Sequence, residues 1–445
     1  MKEEKILRMS RRDFLKSAAV VGAGVALSAC APKSPAATEA AAGGSAAEQI
    51  TLTYWHPPHN PQVKEIVETL CKPFEEANPN IKVECNVIPW GEVETKWTVA
   101  IQSGETPDIG YIWDVGLPSY YRMGGLEPLD EYLDDEFFSK YAGEAIESGR
   151  GEDGKLYGVV PLITTDCLFY NIDMFEKAGI PLPDPLYTPS WDEYLEWLIK
   201  LKEAGFYGWD WGIRTDAIDH VHWDGYRRFG ASEINEDYTK VTFDTPEAIA
   251  WATAMQDLAQ KYEVLPPKAL TMDWVRSEAF VQGEAATLEY WTGLPGQLKD
   301  YPDLKWGVCK AWHGPKDSAA YLGIGYQAVF KDSKHKKEAI ELLKFMNSSD
   351  YLMEFNKKMG FFPPIEGGDK VYENASADEK KVADLSWAIL QEDAKFFYPW
   401  KGVMRWGTES FLPGLQGLLL GRTTPEAFCK EVTEMGNKIL EEEKA

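Results

Sequence analysis

Basic side chains are scarce in this sequence relative to acidic ones. Of 445 residues, 46 are lysine or arginine and 71 are aspartate or glutamate, so the formal net charge is −25. A surface of this sign repels nucleic acid, which excludes a nucleic-acid function. Beyond residue 49 the sequence also lacks the roughly 18 consecutive apolar residues that a membrane-spanning helix needs. The length and the 44% hydrophobic content are those of a globular protein with two or more lobes.

Motifs for catalysis and metal binding are missing as well. The sequence has no Gly-x-Ser-x-Gly elbow, no phosphate-binding glycine loop and no His-Glu-x-x-His. Among its six histidines, His220 and His222 would share one face of a strand, but no third ligand is identifiable. We therefore expect no metal site, no cofactor and no enzyme activity.

Cysteine is rare, and its spacing fits neither a zinc site nor a redox motif. Apart from Cys30 there are five, an odd number that leaves at least one thiol unpaired: Cys71, Cys85, Cys167, Cys309 and Cys429. We interpret them as small buried apolar residues.

The N-terminus carries two export signals in register. Residues 10–16 (SRRDFLK) resemble a twin-arginine signal, and residues 27–30 (LSAC) resemble a lipobox, in which Cys30 receives a diacylglycerol. These motifs predict a signal peptide over 1–29 and a lipidated flexible tether over 30–49, rich in Ala, Gly and Ser. The protein is expected outside the cytoplasmic membrane, held there by its lipid. A cleaved secretory peptide with an incidental cysteine is the alternative.

Short strands alternate with helices along the rest of the chain. Alternating or apolar runs predict strands near 50–55, 81–85 and 109–113. Asn60 and Pro61 predict a helix start, with a kink at Pro73. Capping signals predict helices after Ser190 and Thr245. A stripe of apolar residues at helical spacing predicts another helix near 335–348. This alternation indicates an α/β fold with mostly parallel sheets flanked by helices.

Aromatic residues are abundant, with 17 Trp, 21 Tyr and 19 Phe. Most tryptophans pack in cores, but Trp55 and Trp113 stand at the carboxyl ends of predicted strands, where ligands bind in open α/β sheets. Trp291 likewise follows the largely apolar run 285–290. An indole suits the C–H face of a sugar ring, and nearby carboxylates suit its hydroxyls. The pattern favours a sugar ligand.

A series of landmarks then appears in a specific order. They are FEEANPNIKV at 74–83, SGETPDI at 103–109, GLEPL at 125–129, GKLYGVVP at 154–161, YNIDMF at 170–175 and FVQGEAA at 280–286. Their order and spacing resemble the extracellular solute-binding proteins of ABC sugar importers, the family that includes maltose-binding protein. The resemblance covers most of residues 50–430.

The resemblance implies a two-lobe periplasmic-binding-protein fold of type II, with three hinge crossings near 161–167, 319–326 and 361–368. It places the N-terminal lobe at 50–163 plus 324–364 and the C-terminal lobe at 164–323 plus 365–445. It also implies that a carbohydrate binds in the cleft between the lobes and is delivered to the permease subunits of an ABC importer. A monomer is expected.

Fourteen residues are candidates for ligand contact by their position in this family pattern. They are Trp55, His56, Trp113, Asp114, Thr165, Asp166, Trp223, Glu289, Tyr290, Trp291, Tyr326, Trp400, Arg405 and Trp406. Hinge or core packing is the competing explanation for each of them.

Other functions stay open at this point. A secreted glycoside hydrolase could have its acid pair among the 71 carboxylates, and twin-arginine export is also used by redox proteins. The solute could be a polyol or a sugar phosphate. A surface adhesin or sensory protein could use the same fold without a transporter.

Overall fold

The structure of the protein is a computed structural model. It describes residues 49–142, 145–213, 220–272, 274–396 and 399–444. The predicted signal peptide, Cys30 and nearly all of the predicted tether lie outside the described residues.

The strands and helices alternate as the sequence indicates. The strands are β1 (Ile50–His56), β2 (Ile81–Val87), β3 (Ile109–Trp113), β4 (Val159–Thr164), β5 (Asp166–Asn171), β6 (Tyr207–Trp209), β7 (Ala285–Trp291), β8 (Trp306–Cys309), β9 (Ala320–Tyr321), β10 (Gly323–Val329) and β11 (Ala394–Lys395). The first helices are α1 (Val63–Leu70), α2 (Lys72–Ala77), α3 (Trp90–Ser103), α4 (Gly116–Arg122), α5 (Asp135–Ser139), α6 (Ile172–Lys177), α7 (Trp191–Glu203), α8 (His220–Arg228) and α9 (Pro246–Gln260). The others are α10 (Glu278–Val281), α11 (Leu294–Leu298), α12 (Lys336–Met346), α13 (Ser349–Met359), α14 (Ala377–Glu392), α15 (Val403–Trp406), α16 (Leu412–Leu419) and α17 (Pro425–Lys444).

Local sequence explains most of these boundaries. Thr245 caps α9 by accepting a hydrogen bond from the Ala248 N–H at 3.2 Å, with Pro246 at the first helical position. The prediction of one kinked helix from Asn60 was wrong: α1 begins at Val63, and the chain starts a second helix at Lys72. Pro73 lies in the first turn of that helix, where its missing N–H costs no hydrogen bond.

Two sheets form the centres of two lobes. The first lobe contains the five-stranded sheet β2-β1-β3-β10-β4, and the second contains the four-stranded sheet β6-β7-β5-β8. The expectation of mostly parallel sheets was wrong. β10 runs antiparallel to β3 and β4, and β5 runs antiparallel to β7 and β8. Each of these two strands is reversed relative to both of its neighbours because it enters its sheet directly after a crossing between the lobes.

Three connections join the lobes. Thr165 alone separates β4 from β5, and Leu322 alone separates β9 from β10. The third connection follows α13, where Phe362 forms a β-bridge with Ile163. The precise lobe boundaries given above stay a prediction.

The five cysteines named above are all buried with free thiols, as expected. Burial raises the pKa of Cys71 and of Cys85 to about 12, so these thiols stay protonated near neutral pH. Across the described ranges, no helix combines the length and the hydropathy that spanning a membrane requires.

Candidate functional site

A cavity of about 1160 Å³ lies between the two lobes. The first lobe contributes His59, Trp90 and Trp113 to its lining, and the second contributes Asp166 and Arg276. A volume of this size is slightly above the usual range for small-molecule sites, which ends near roughly 1,000 Å³, and accommodates several sugar rings. The two walls differ in chemistry.

The first-lobe wall is aromatic and centred on His59. Its imidazole lies edge-on to Trp90 at 4.7 Å, Tyr111 at 4.8 Å and Phe361 at 5.2 Å between ring centroids. The Nδ1 atom of His59 is buried and has no hydrogen-bond partner among the described residues. Burial holds the pKa of His59 well below its usual value, and the neighbouring His56 lowers that pKa further. A neutral imidazole therefore fills this aromatic cluster.

Trp113 and Asp114 extend this wall from the end of β3. The Trp113 ring lies edge-on to Tyr120 at 5.9 Å, which fixes its orientation. The Asp114 carboxylate accepts a hydrogen bond from the hydroxyl of Tyr321, the last residue of β9. A first-lobe carboxylate is thus bonded to a residue at the second connection.

The second-lobe wall is built on ion pairs. Asp166, the first residue of β5, is paired with the Arg276 guanidinium, and the Asp166 side chain is only 3% exposed. Arg276 also donates to the Glu289 carbonyl through Nε at 3.2 Å and Nη2 at 2.7 Å, and it lies over the Tyr290 ring at 4.9 Å. The cation and the carboxylate neutralise each other at the cavity surface.

Behind this wall lies a second, fully buried ion pair. Arg228 binds both carboxylate oxygens of Glu289, at 3.1 and 2.9 Å. The Trp312 indole N–H donates to the same carboxylate at 3.0 Å. The Arg228 guanidinium lies over the Trp312 ring at 4.5 Å, and its Nη2 lies 3.7 Å from Asp224. Glu289 is therefore committed to the interior of the second lobe.

The walls meet where Trp291 stacks on Phe361. The ring centroids are 4.4 Å apart with an interplanar angle of 28°. Trp291 ends β7 of the second sheet, whereas Phe361 packs in the hydrophobic core of the first lobe. Alongside the stack, a Cβ built on Gly360 would lie 2.6 Å from the Gly293 Cα. The two lobes thus approach to backbone contact here.

Six of the predicted contact residues line the cavity: Trp113, Asp114, Asp166, Trp223, Tyr290 and Trp291. Whether they contact a ligand stays a prediction. Trp291 already has one ring face covered by Phe361, so it has less free surface than a sugar-stacking role suggests.

The other first-lobe and crossing candidates lie behind the cavity. Trp55 packs edge-on against Trp97 at 5.2 Å, and His56 is fully buried with Nδ1 2.6 Å from the Pro57 carbonyl oxygen. Thr165 is buried at the first connection. Tyr326 donates to the Ser148 carbonyl at 3.2 Å. Glu289 is paired with Arg228, as described above.

The late aromatic segment lies in the core of the second lobe. Trp406 is fully buried and donates to the Val432 carbonyl at 2.8 Å, and Trp400 packs beside it at 5.9 Å. Arg405 forms ion pairs with Glu409, Glu442 and Glu443. None of these three side chains lines the cavity.

Most lining residues were not singled out as contacts from the sequence, and among them Arg276, Tyr321 and Phe361 make the interactions described above. His59 lies in the segment 56–59 (HPPH), which carries no motif that marks a cavity residue. No local motif marks Arg276, because its partner Asp166 lies 110 residues away. The pair His220 and His222 begins helix α8, not a strand, and the His222 Nε2 lies 2.9 Å from the Gly212 carbonyl oxygen. No cluster of three metal-ligating side chains occurs among the residues that the structure describes.

A family model for bacterial extracellular solute-binding proteins matches residues 56–353. The chain belongs to this family. A model for twin-arginine translocation signals matches residues 8–28, which confirms the export signal and an extracytoplasmic location. The members of the family bind solutes.

Curated relatives span most of the chain. A putative binding protein of Brucella abortus (strain 2308) is 29% identical over 389 residues, covering 84% of this chain and 89% of the relative. The sn-glycerol-3-phosphate-binding periplasmic protein UgpB of Shigella dysenteriae is 22% identical, covering 89% and 94%. An arabinooligosaccharide-binding protein of Bacillus subtilis is 25% identical, covering 71% and 73%.

Solved structures of similar fold include an ABC substrate-binding protein from Listeria monocytogenes in complex with cycloalternan. It has a TM-score of 0.76 and 22% identity, covering 88% of this chain and all of that one. Maltose-bound MalE3 of T. maritima has a TM-score of 0.74 and 23% identity, covering 87% and 98%. These likenesses confirm the two-lobe α/β fold.

Proposed function

We propose that this protein binds a neutral sugar or oligosaccharide between its lobes and delivers it to an ABC permease. The observation that carries the proposal is the cavity of about 1160 Å³, where indoles and carboxylates from both lobes face one space. Trp113 offers a flat apolar surface next to Asp114, and Trp223 and Asp166 belong to the same lining. Rings suit the C–H faces of a sugar, and carboxylates accept its hydroxyl hydrogens.

Relatives of known name support a carbohydrate. One curated relative is named for arabinooligosaccharides, and one solved structure of the same fold contains maltose. The cavity volume favours an oligosaccharide over a single sugar ring, because pockets for drug-sized ligands begin near roughly 300 Å³.

A sugar phosphate is the second candidate, because one curated relative is named for sn-glycerol 3-phosphate. The charges at the cavity argue against it. Asp114 and Asp166 place two carboxylates in the lining, and the Arg276 guanidinium is paired with Asp166. Lys299 at the rim is bonded to Glu379 at 2.9 Å. A phosphate beside Asp114 or Asp166 would therefore meet like charge at short range, whereas Lys357 and Lys358 also border the cavity and would attract it.

Attachment and partner follow from the same proposal. The lipid on Cys30 would hold the protein on the outside of the cytoplasmic membrane. Two acyl chains suffice for stable anchoring, because each methylene buried in the bilayer contributes about 0.8 kcal/mol to the free energy of binding. A monomer would then dock on the permease. Binding is non-covalent, so the protein returns its solute unchanged; incubation with oligosaccharides followed by product analysis should detect no cleavage.

A thermal-shift screen of residues 50–445 tests the solute class. Maltose, maltotriose, arabinotriose, polyols and sn-glycerol 3-phosphate form the panel. A ligand at about 100 times its Kd adds roughly 2.7 kcal/mol to the stability of the folded state, which raises Tm by several degrees. We expect a neutral sugar to give the shift. A shift with sn-glycerol 3-phosphate alone would contradict the sugar proposal and favour a sugar-phosphate ligand.

Asp114→Asn provides the site control. The substitution removes a carboxylate that lines the cavity and should weaken sugar binding about tenfold or more, since a hydrogen bond to a charged group contributes about 1.5–3 kcal/mol. Asp332→Asn, at an exposed carboxylate of the same lobe, should leave Kd unchanged. Equal effects of the two substitutions would mean that the cavity is not the binding site.

A further inference from the structure

Arg276 connects the cavity to the first connection between the lobes. It lies in the cavity lining with a side chain only 11% exposed, and it pairs with Asp166. Asp166 directly follows Thr165, the single residue between β4 and β5. A solute that contacts the Arg276 guanidinium can therefore displace Asp166, the residue at which the chain enters the second lobe.

A chain of buried and partly buried hydrogen bonds continues from Arg276 to the second connection. Arg276 binds the Glu289 carbonyl, and the Glu289 carboxylate binds Arg228. The Arg228 Nε donates to the Ala319 carbonyl at 2.9 Å. Asp224, 3.7 Å from Arg228, accepts the Tyr321 N–H at 3.1 Å. Glu289 of β7 is thus linked to the first connection through Arg276 and to the second connection through Arg228.

The segment that carries Arg276 is held on both sides. Asp210 accepts the Trp274 indole N–H at 2.8 Å and the Phe280 backbone N–H at 2.9 Å. Between these anchors Ser277 adopts a left-handed backbone with φ +76°, which costs energy in a residue with a Cβ. A held segment transmits a displacement of Arg276 instead of absorbing it.

We propose that Arg276 is the positioning residue that couples occupation of the cleft to both connections between the lobes. The inference rests on the proposed function for the identity of the solute, but its mechanical part concerns the unliganded protein as well. In that state Arg276 keeps the buried Asp166 carboxylate in place at the start of β5. Without the cation, Asp166 would turn toward water in the cavity and loosen the first connection.

Double electron–electron resonance on the mature chain measures this coupling. Spin labels at Val99→Cys in the first lobe and Leu186→Cys in the second report the interlobe distance, since both sites are more than half exposed. The five cysteines that the structure describes are buried and resist labelling, and Cys30 is replaced in a Cys30→Ser background so that it takes up no label. We expect Arg276→Gln to broaden or shift the distance distribution of the unliganded protein. A distribution identical to that of the parent would overturn the proposal.

Two variants separate positioning from general structure. Arg276→Lys retains the charge opposite Asp166 and should restore much of the parent distribution. Arg150→Gln removes a first-lobe arginine that pairs with Asp130 and Glu147, and should leave the distribution unchanged. If Arg276→Gln fails to fold by circular dichroism, Asp166→Asn breaks the same pair from the other side. No rescue by lysine would contradict the proposal.

Maltotriose and arabinotriose then serve as solute probes. In the parent protein we expect a sugar that binds by calorimetry to shift the interlobe distance. In Arg276→Gln the shift should be at least halved at saturating sugar. A full shift in that variant would overturn the coupling. If no sugar binds the parent protein, the proposed function fails, while the comparison of unliganded variants still decides the role of Arg276.

Discussion

The two walls of the cleft are stabilised by different kinds of interaction. The first-lobe wall is a cluster of rings around a neutral His59, with contacts of 4.7–5.2 Å that need no charge. The second-lobe wall depends on buried ion pairs, Arg276 with Asp166 and Arg228 with Glu289. Rings tolerate many ligand orientations, whereas fixed charges impose one. Under the proposals above, the first lobe supplies contact area for the solute, and the second lobe supplies orientation and control of the hinge.

The largest expected effect is on the charged wall. Glu289→Gln leaves the Arg228 guanidinium, 2% exposed, without its bidentate partner. Breaking a buried pair in this way costs about 3–5 kcal/mol, and we expect a loss near the lower end because Asp224 lies nearby. Urea unfolding measures the change. Glu92→Gln, at an exposed carboxylate two residues after Trp90 of the first-lobe wall, should alter stability by less than about 0.5 kcal/mol. Equal losses would remove the contrast between the walls.

Contact between the walls is tested by Gly360→Ala. Gly360 has φ +85°, and an added Cβ would lie 2.6 Å from the Gly293 Cα. We expect a loss of roughly 2 kcal/mol, part from the left-handed backbone and part from the clash. Gly283→Ala is the matched control, since Gly283 has φ +71° and open space around its Cβ. It should cost about 1 kcal/mol. Identical losses in thermal unfolding would show that the lobes are not in contact here.

Acid should weaken the first lobe. Burial lowers the pKa of His56 from 6.5 to about 4. Between these values the unfolded chain binds a proton that the folded chain does not, so the free energy of unfolding falls as pH decreases. From pH 7 to pH 5 the loss attributable to His56 is about 2 kcal/mol. His56→Gln should lack this contribution in parallel urea titrations. A difference between parent and variant that is independent of pH would contradict the assignment.

Acid should act in the opposite direction on the second lobe, with a smaller effect. Burial raises the pKa of Asp210 from 3.8 to about 6, although the Trp274 and Phe280 N–H groups oppose the rise. The folded chain then holds a proton that the unfolded chain has lost, so this contribution grows as pH decreases. From pH 7 to pH 5 the gain is about 1 kcal/mol. Asp210→Asn should remove the gain, as measured by the same titrations; a variant that keeps it would point to another group.

Elements with strong local signals were predictable from sequence. β1, β2 and β3 lie where alternation and apolar runs placed them, and Thr245 with Pro246 opens α9 as expected. The first-lobe wall was partly predictable for the same reason, because Trp113 and Asp114 end a strand and face the cavity together.

The charged wall was not predictable, because the two members of each ion pair are distant in sequence and come together only in the folded lobe. Arg276 and Asp166 are 110 residues apart, and Arg228 and Glu289 are 61 apart. The tryptophan content did not tell which indoles line the cavity. Trp113 lines it, whereas Trp406, the last residue of α15, is fully buried and packs against α17. Composition cannot distinguish these two uses, since both bury a large ring.

A crystal structure with the sugar that gives the largest thermal shift tests the cleft most directly. We expect density between the two walls, with a sugar ring near Trp113 and hydroxyls within hydrogen-bond distance of Asp114 and the Arg276–Asp166 pair. Density outside the cavity, or contact with one lobe alone, would contradict the proposal that two unlike walls together hold the solute.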